Sequence, residues 1–352
     1  MSSVKKLAEE IRCGLLEALP NLRKVLKKNL PMVIAAVLEA RTANTALIAT
    51  YLPLETERDD LRQQRLRRIL SNKFLIASEI MAPFAQRILR EEAQHGQILQ
   101  FSMDQTDIGD QFAVLMLSIR VGDRALPLTW IVEPGTANIG FAGQQMLLNQ
   151  VVSWLPANAQ VMLSADRFYP SEALFTWLKA HNWQYRLRLK TNFLADLGVG
   201  DATTTGALAK GQSARYLTDV ALFASGVMTN IGILRESGHK EPWIIAMDCP
   251  PTRARVLDYA SRWCIEPMFS DFKSRGFGLE DTHLEDPNRL SALLLIMSLA
   301  MYWCVTVGRL DAETTPTYAE KKPSNKRLQA IGLCAKPIDL HFRGFSAVYV
   351  SC

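Results

Sequence analysis

Cysteine is scarce and scattered. The 352 residues hold six, at Cys13, Cys249, Cys264, Cys304, Cys334 and Cys352, with no C-x-x-C pair among them. That spacing excludes a disulfide scaffold and a zinc ribbon, and it fits a reducing, cytoplasmic setting. Histidine is equally thin: the five (His95, His181, His239, His283, His341) share no ligand spacing, so zinc is not the expected metal. There is no low-complexity tract and no internal repeat, which removes solenoid architectures. In the opening residues MSSVKKLAEEIRCGLLEALP charges interrupt every apolar run, unlike a secretory signal. With 48% apolar and 21% charged residues, wholesale disorder is excluded as well. The length allows two or three domains with a substantial core.

What is present is unevenly distributed. The net charge is +5, and residues 1–100 carry all of it, with 16 Lys/Arg against 11 Asp/Glu. The rest of the chain is balanced at 24 against 24, apart from a small basic cluster at Lys321, Lys322, Lys326 and Arg327. A basic segment on a neutral body suggests an anionic polymer as partner, most simply nucleic acid. One uncharged stretch, Leu290 to Gly308, is long enough for a membrane span. It is single and follows a polar region, so a helix buried on all sides of a large domain is the expected reading, with no membrane as partner.

Residues 1–95 read as helical. Val4–Leu19 and Leu30–Ala49 have apolar residues at helical spacing, and Pro20, Pro31 and Pro53 are expected between helices. Leu61–Leu70 gathers Arg62, Arg65, Arg67 and Arg68 on one short helix, which suits DNA binding. From Gln97 the pattern changes to three strand-like runs, Ile98–Met103, Phe112–Ile119 and Leu126–Val132, with a tight turn at Val121-Gly122-Asp123. A helix (138–155), a strand (161–165), a helix from a Ser171 cap to Ala180 and a strand (184–189) follow. Three meandering strands followed by alternating helices and strands predict an α/β mixed sheet with helices on its faces. That order is the one of the ribonuclease-H-like fold. Residues 190–248 break the rhythm and read as a β-rich insertion; helix returns from about Thr252 to Lys273.

Three carboxylates fall where such a sheet brings them together. Asp104 is expected at the end of the first strand, Asp166 at the end of the fourth, and Glu266 within the late helix. An oxygen-only set of this kind suits Mg²⁺, or Mn²⁺, rather than a soft metal. Tyr259, Arg262, Glu266 and Lys273 lie at offsets that, at about 100° per residue, share one helical stripe about 60° wide. An Arg and a Lys flanking a metal-binding Glu would hold phosphates on either side of a reacting one. Pro267, directly after Glu266, works against a regular helix there; a kink at that point would rotate Lys273 off the stripe.

In YASRWCIEPMFSDFK these residues stand as Tyr259-x-x-Arg262-x-x-x-Glu266-x-x-x-x-x-x-Lys273. This resembles the DDE transposases of bacterial insertion sequences, in the group with a Y-(2)-R-(3)-E-(6)-K signature. MDQTD at Asp104, SADRFYP at Asp166, VGDRALPLTW and the EPW at Glu241–Trp243 are similar to the family too, so the resemblance covers roughly residues 30–340. It implies a ribonuclease-H-like catalytic core with a β insertion between the second Asp and the Glu, behind a helical DNA-binding region. It also implies two Mg²⁺ ions held by Asp104, Asp166 and Glu266, with Tyr259, Arg262 and Lys273 on DNA phosphates. Double-stranded DNA (element ends and target) is the implied partner, and a dimer the implied DNA-bound state.

The resulting expectation is a transposase with a helical DNA-binding region (1–95), a core in two parts (96–189 and 249–310), an insertion (190–248) and a basic tail (311–352). Two alternatives remain at this level. One is a decayed or regulatory copy that binds element ends without cutting; the other is a nuclease of the same fold that joins nothing.

Overall fold

The computed structural model describes residues 3–314 apart from Asp123, Ser237 and Lys240; the basic tail lies outside the described residues. Five helices come first: α1 (Ser3–Ala18), α2 (Lys24–Ala40), α3 (Thr45–Tyr51), α4 (Asp59–Leu70) and α5 (Ala77–Glu92). α1 forms because Val4, Leu7, Ala8, Ile11 and Leu15 recur at helical spacing, and that face is the buried one. The expected helix over 30–49 is two helices. α2 ends at Arg41, which takes the left-handed conformation (φ 50°), and α3 restarts under an Asn44 cap whose Oδ1 accepts from the N–H groups of Ala46 and Leu47.

Pro31 departs from expectation by lying inside α2 rather than between helices. Proline in a helix interior costs about 3 kcal/mol in isolation. Here Leu30 and the run Val33–Leu38 are at most 2% exposed, so burial of this stretch outweighs the local penalty.

The sheet has ten strands in the order β3-β2-β1-β4-β5-β10-β9-β8-β6-β7. Its first half comprises β1 (Leu99–Ile108), β2 (Phe112–Val121), β3 (Arg124–Pro134), β4 (Val161–Ala165) and β5 (Gln184–Arg188). β2 and β3 pair up to Val121–Arg124 across a two-residue turn, and Gly122 supplies the positive φ (62°) that such a turn needs. β1 runs antiparallel to β2 but parallel to β4, and β4 is parallel to β5. Between them α6 (Phe141–Val152) and α7 (Glu172–Ala180, capped by Ser171) make the crossovers.

The β-rich stretch 190–248 extends this same sheet. β6 (Leu194–Asp196), β7 (Thr203–Thr204), a short α8 (Thr205–Ala209), β8 (Ala214–Leu222) and β9 (Val227–Leu234) lead to β10 (Trp243–Met247), which pairs antiparallel with β5. Gly232 in β9 leaves room for the next layer, since a Cβ there would come within 2.2 Å of Val256 Cγ2. The bare backbone lets the following helix, α9 (Arg253–Leu257), lie close on the sheet.

The late helix is not one continuous α-helix. α9 passes into a 3₁₀ run over 258–264, then α10 (Ile265–Ser270), then a π turn over 271–275. Pro267 is tolerated because it falls in the first turn of α10, where a missing N–H is least costly. The last helix, α11 (Pro287–Thr314), contains the uncharged stretch. It is long and apolar enough to cross a membrane, yet 78% of its apolar window is buried against β3, α2, α4 and α5. Leu290, Leu293 and Ile296 are wholly buried, each contributing about 1.5–3 kcal/mol by leaving water. It is the central core helix of this fold, and one continuous apolar core runs from α1 through α11 to the sheet.

Candidate active site

The register of the parallel strands builds the site. Met103 of β1 pairs with Ala165 of β4, and Ala165 with Leu187 of β5. The next residue of each chain segment is Asp104, Asp166 and Arg188, so these three stand in a row at one edge. Open α/β sheets bind ligands at the carboxyl ends of their parallel strands, which is this edge. Asp104 is not at the end of its strand, as expected from sequence; β1 continues to Ile108 because its pairing with β2 continues beyond β4.

Asp104 is the most constrained carboxylate. Its Oδ2 accepts from Arg262 Nη1 at 2.8 Å, while Oδ1 accepts from the Gln105 N–H at 3.0 Å and the Tyr169 hydroxyl at 3.3 Å. Burial pushes its carboxyl up to about 6 against the pull of Arg262, and the neighbouring Asp166 charge adds to the rise. Tyr169 is 5% exposed, and burial with the two carboxylates drives its phenol far above the ordinary range, so it stays a donor. Asp166 Oδ1 accepts the Phe168 N–H at 2.8 Å, which closes a tight turn directly after β4.

Arg262 sits between two acids. Its Nη2 donates to Glu266 Oε1 at 2.9 Å, its own side chain is 10% exposed, and Glu266 is 57% exposed. Arg262 Nε and the Tyr259 hydroxyl are buried without a hydrogen-bond partner of good geometry among the described residues. The 3₁₀ winding explains the Tyr259–Arg262 pairing, because residues three apart eclipse in that geometry. The guanidinium carbon lies 5.8 Å from the Tyr259 ring centroid.

Two of the sequence-predicted residues lie apart from the carboxylate row. Tyr259 does not lie open to DNA: it is 1% exposed, packed edge-on to Trp243 at 5.6 Å in a small core with Ile245, Met247 and Val256. Lys273 leaves the common stripe. The π turn rotates less per residue than an α-helix, and Lys273 Nζ pairs with Glu280 at 3.1 Å. Tyr259, Arg262 and Glu266 do come together.

Several site-shaping residues were not singled out from sequence. Arg186 is buried and ties the start of the 3₁₀ run to the sheet, donating to the Arg255 carbonyl at 3.1 Å, Asp248 at 2.9 Å and Asp258 at 3.3 Å. Arg124, in the VGDR motif, pairs with Asp271 at 2.8 Å; both are nearly buried, which anchors the π turn to β3. Tyr169 belonged to a recognised motif, but nothing local reported that its hydroxyl reaches Asp104.

The donor set suits a hard divalent cation, being carboxylate oxygen throughout. Among the described residues, though, no three carboxylate, imidazole or thiolate groups are grouped to hold an ion. The positive charge between Asp104 and Glu266 is that of Arg262. Arg262 holds both Asp104 and Glu266, so either carboxylate would be free for a cation only once Arg262 releases it.

The transposase DDE domain family matches residues 93–304, more than half of the chain. The chain belongs to that family. The matched span begins just before β1 and runs into α11, so the whole sheet and the Arg262–Glu266 segment lie within it. Members of this family are DDE transposases of mobile elements, and divalent metals and DNA are the general expectation for them. No curated protein sequence matches the chain.

Proposed function

We propose that this transposase binds the ends of a mobile DNA element, cuts them and joins them to target DNA by two-metal phosphoryl transfer. The observation that carries the reading is the row of Asp104 and Asp166 at the carboxyl edge of parallel strands, with Arg262 reaching in from the Glu266 segment. Two Mg²⁺ or Mn²⁺ ions held by Asp104, Asp166 and Glu266 would supply activation of the attacking oxygen and charge stabilisation at the leaving one.

The chain's own residues do the rest. Tyr169 holds Asp104 in one orientation through its hydroxyl. Arg262 exchanges its carboxylate partners for a DNA phosphate, a planar fork suited to bidentate contact. Tyr259 braces Arg262 from below, and Lys273 reaches a second phosphate by releasing Glu280. DNA binding outside the site falls to the basic N-terminal helices, although fewer arginines are available than the sequence suggests. Arg62 donates to the carbonyls of Ala49 (3.0 Å), Thr50 (2.6 Å), Thr56 (2.7 Å) and Leu52, and Arg65 to Asn29 at 2.8 Å. Arg67 and Arg68 remain exposed. Pairing two element ends calls for two protomers, so the active complex is a DNA-bound dimer.

The test uses the DNA flanking the coding sequence on each side as a pair of labelled ends. Cutting and joining in Mg²⁺, lost in Asp104→Ala, Asp166→Ala and Glu266→Ala while binding persists, supports the reading. Cutting without joining identifies a nuclease, and binding without cutting a regulatory copy. Cutting retained in Glu266→Ala refutes the assignment.

A further inference from the structure

Glu241, the first residue of the EPW motif, reaches two arginines at once. Its Oε2 lies 3.2 Å from Arg167 Nη1 and 3.7 Å from Arg188 Nη2. The sheet brings the three together. β4 and β5 are parallel, so Arg167, one residue beyond Asp166, and Arg188 emerge at the same carboxyl edge. β10 enters antiparallel to β5 with Ile245 opposite Arg188, so Glu241, four residues earlier, is delivered beyond that edge. Residues two apart on a strand share a face, so Arg188 lies on the side of Arg186, which bonds the segment leading to Arg262.

Exposed ion pairs of this kind add little stability, and Glu241 is 59% and Arg167 46% exposed. What the contact does fix is the position of an anion. Two guanidinium groups from separate segments converge on one carboxylate oxygen, and a phosphodiester offers the same single negative charge with two acceptor oxygens. The position lies one strand beyond Asp166 in the row of Asp104, Asp166 and Arg188, where a DNA strand held at the carboxylates would continue. We propose that Arg167 and Arg188 form a seat for one DNA phosphate, and that Glu241 fills this seat in the free protein as a stand-in for the phosphate. DNA has to displace Glu241, so every duplex is bound less tightly than the basic residues alone would allow. This inference rests on the proposed function and adds to it a contact that restrains DNA binding.

The test uses the full chain in EDTA, which prevents cutting, with fluorescently labelled duplexes that copy the DNA flanking the coding sequence and random duplexes of equal length. Anisotropy reads the affinity across a range of salt. Glu241→Gln keeps the shape of the side chain without its charge. It should bind both duplexes about 2- to 30-fold more tightly, the cost of two exposed ion pairs that no longer compete. The gain extends to random DNA because a phosphate contact carries no sequence information. Glu133→Gln makes the same change of charge at an exposed position of β3, four strands away from β5, and should gain much less. In a chain carrying Arg167→Gln and Arg188→Gln, binding should weaken and the slope of log K against log[salt] flatten by about 0.9. Adding Glu241→Gln to that chain should have no further effect. A gain of affinity cannot come from misfolding, so the first result stands apart from stability. The proposal is overturned if Glu241→Gln binds no more tightly than Glu133→Gln, or if its gain persists in the chain lacking both arginines. If the wild type binds the flanking duplexes no better than random ones, end recognition and the proposed function fail, while the Glu241 comparison on random duplexes still decides the seat.

Discussion

Replacing Asp104 with Asn should make the protein more stable at neutral pH, although it destroys the proposed chemistry. The Asp104 carboxyl is held near 6 in the folded chain against an ordinary value of 3.8, chiefly because burial disfavours its charge. The folded state thus binds this proton more tightly than the unfolded state does. Its stabilising effect is complete below about pH 3.8 and is lost as pH rises to about 6, after which the cost is constant. At 1.36 kcal/mol per pH unit that cost is about 3 kcal/mol at pH 7.5. Arg262 is already counted in that value, since its attraction lowers the carboxyl while burial raises it. Asn is neutral but keeps one acceptor oxygen, enough for Arg262 or for the Gln105 N–H and Tyr169 hydroxyl but not for both sides, so up to about 3 kcal/mol should be recovered. With an unfolding entropy of about 2.1 cal/mol/K per residue, the expected rise in Tm is up to about 4 °C. Thermal melts by circular dichroism in EDTA, at pH 4.5 and pH 7.5, measure it. The variant should gain at pH 7.5 and gain much less at pH 4.5. A variant less stable at pH 7.5, or a gap independent of pH, refutes the claim that this carboxylate is held at a cost. Adding Mn²⁺ at pH 7.5 should then stabilise the wild type and not the variant.

Arg262→Gln should bind Mn²⁺ more tightly than the wild type without DNA, by about tenfold or more. A unit charge about 4 Å away is worth about 4 kcal/mol at an effective dielectric of 20, and the exposure of Glu266 reduces it. Titration by electron paramagnetic resonance reads the free ion, and equal affinities would mean that Arg262 does not compete for the carboxylates. Neutralising Arg67 and Arg68 together should flatten the slope of log K against log[salt] for duplex DNA by about 1.8, at about 0.9 per contact; an unchanged slope places the N-terminal contacts elsewhere. Arg62→Met should lower stability by about 3 kcal/mol, because several buried carbonyls lose a charged donor. Urea melts showing no loss would mean that those carbonyls find other partners.

Much of the architecture is legible in the amino-acid order because it is local. The period of apolar residues marks α1 and α7, the two-residue turn at Gly122 marks the β2–β3 hairpin, and the strand-then-alternation order marks a mixed sheet. The spacing of Tyr259, Arg262 and Glu266 also survives, since short offsets keep residues close under any helical winding. Lys273 is harder to place, because its offset of fourteen residues from Tyr259 accumulates every change of pitch along the way, and the segment changes pitch twice.

The charged residues show the other side. Arg62, Arg67 and Arg68 read alike on a helix, yet only packing against α3 decides that Arg62 serves its carbonyls while the others face solvent. Asp104, Asp166 and Arg188 became neighbours through parallel pairing across two crossovers, a register that no local pattern encodes. The altered titration of Asp104 follows from the same assembly. It depends on how much water the surrounding chain excludes and on which charges are brought near, and both are properties of residues distant in sequence that only the folded sheet places side by side.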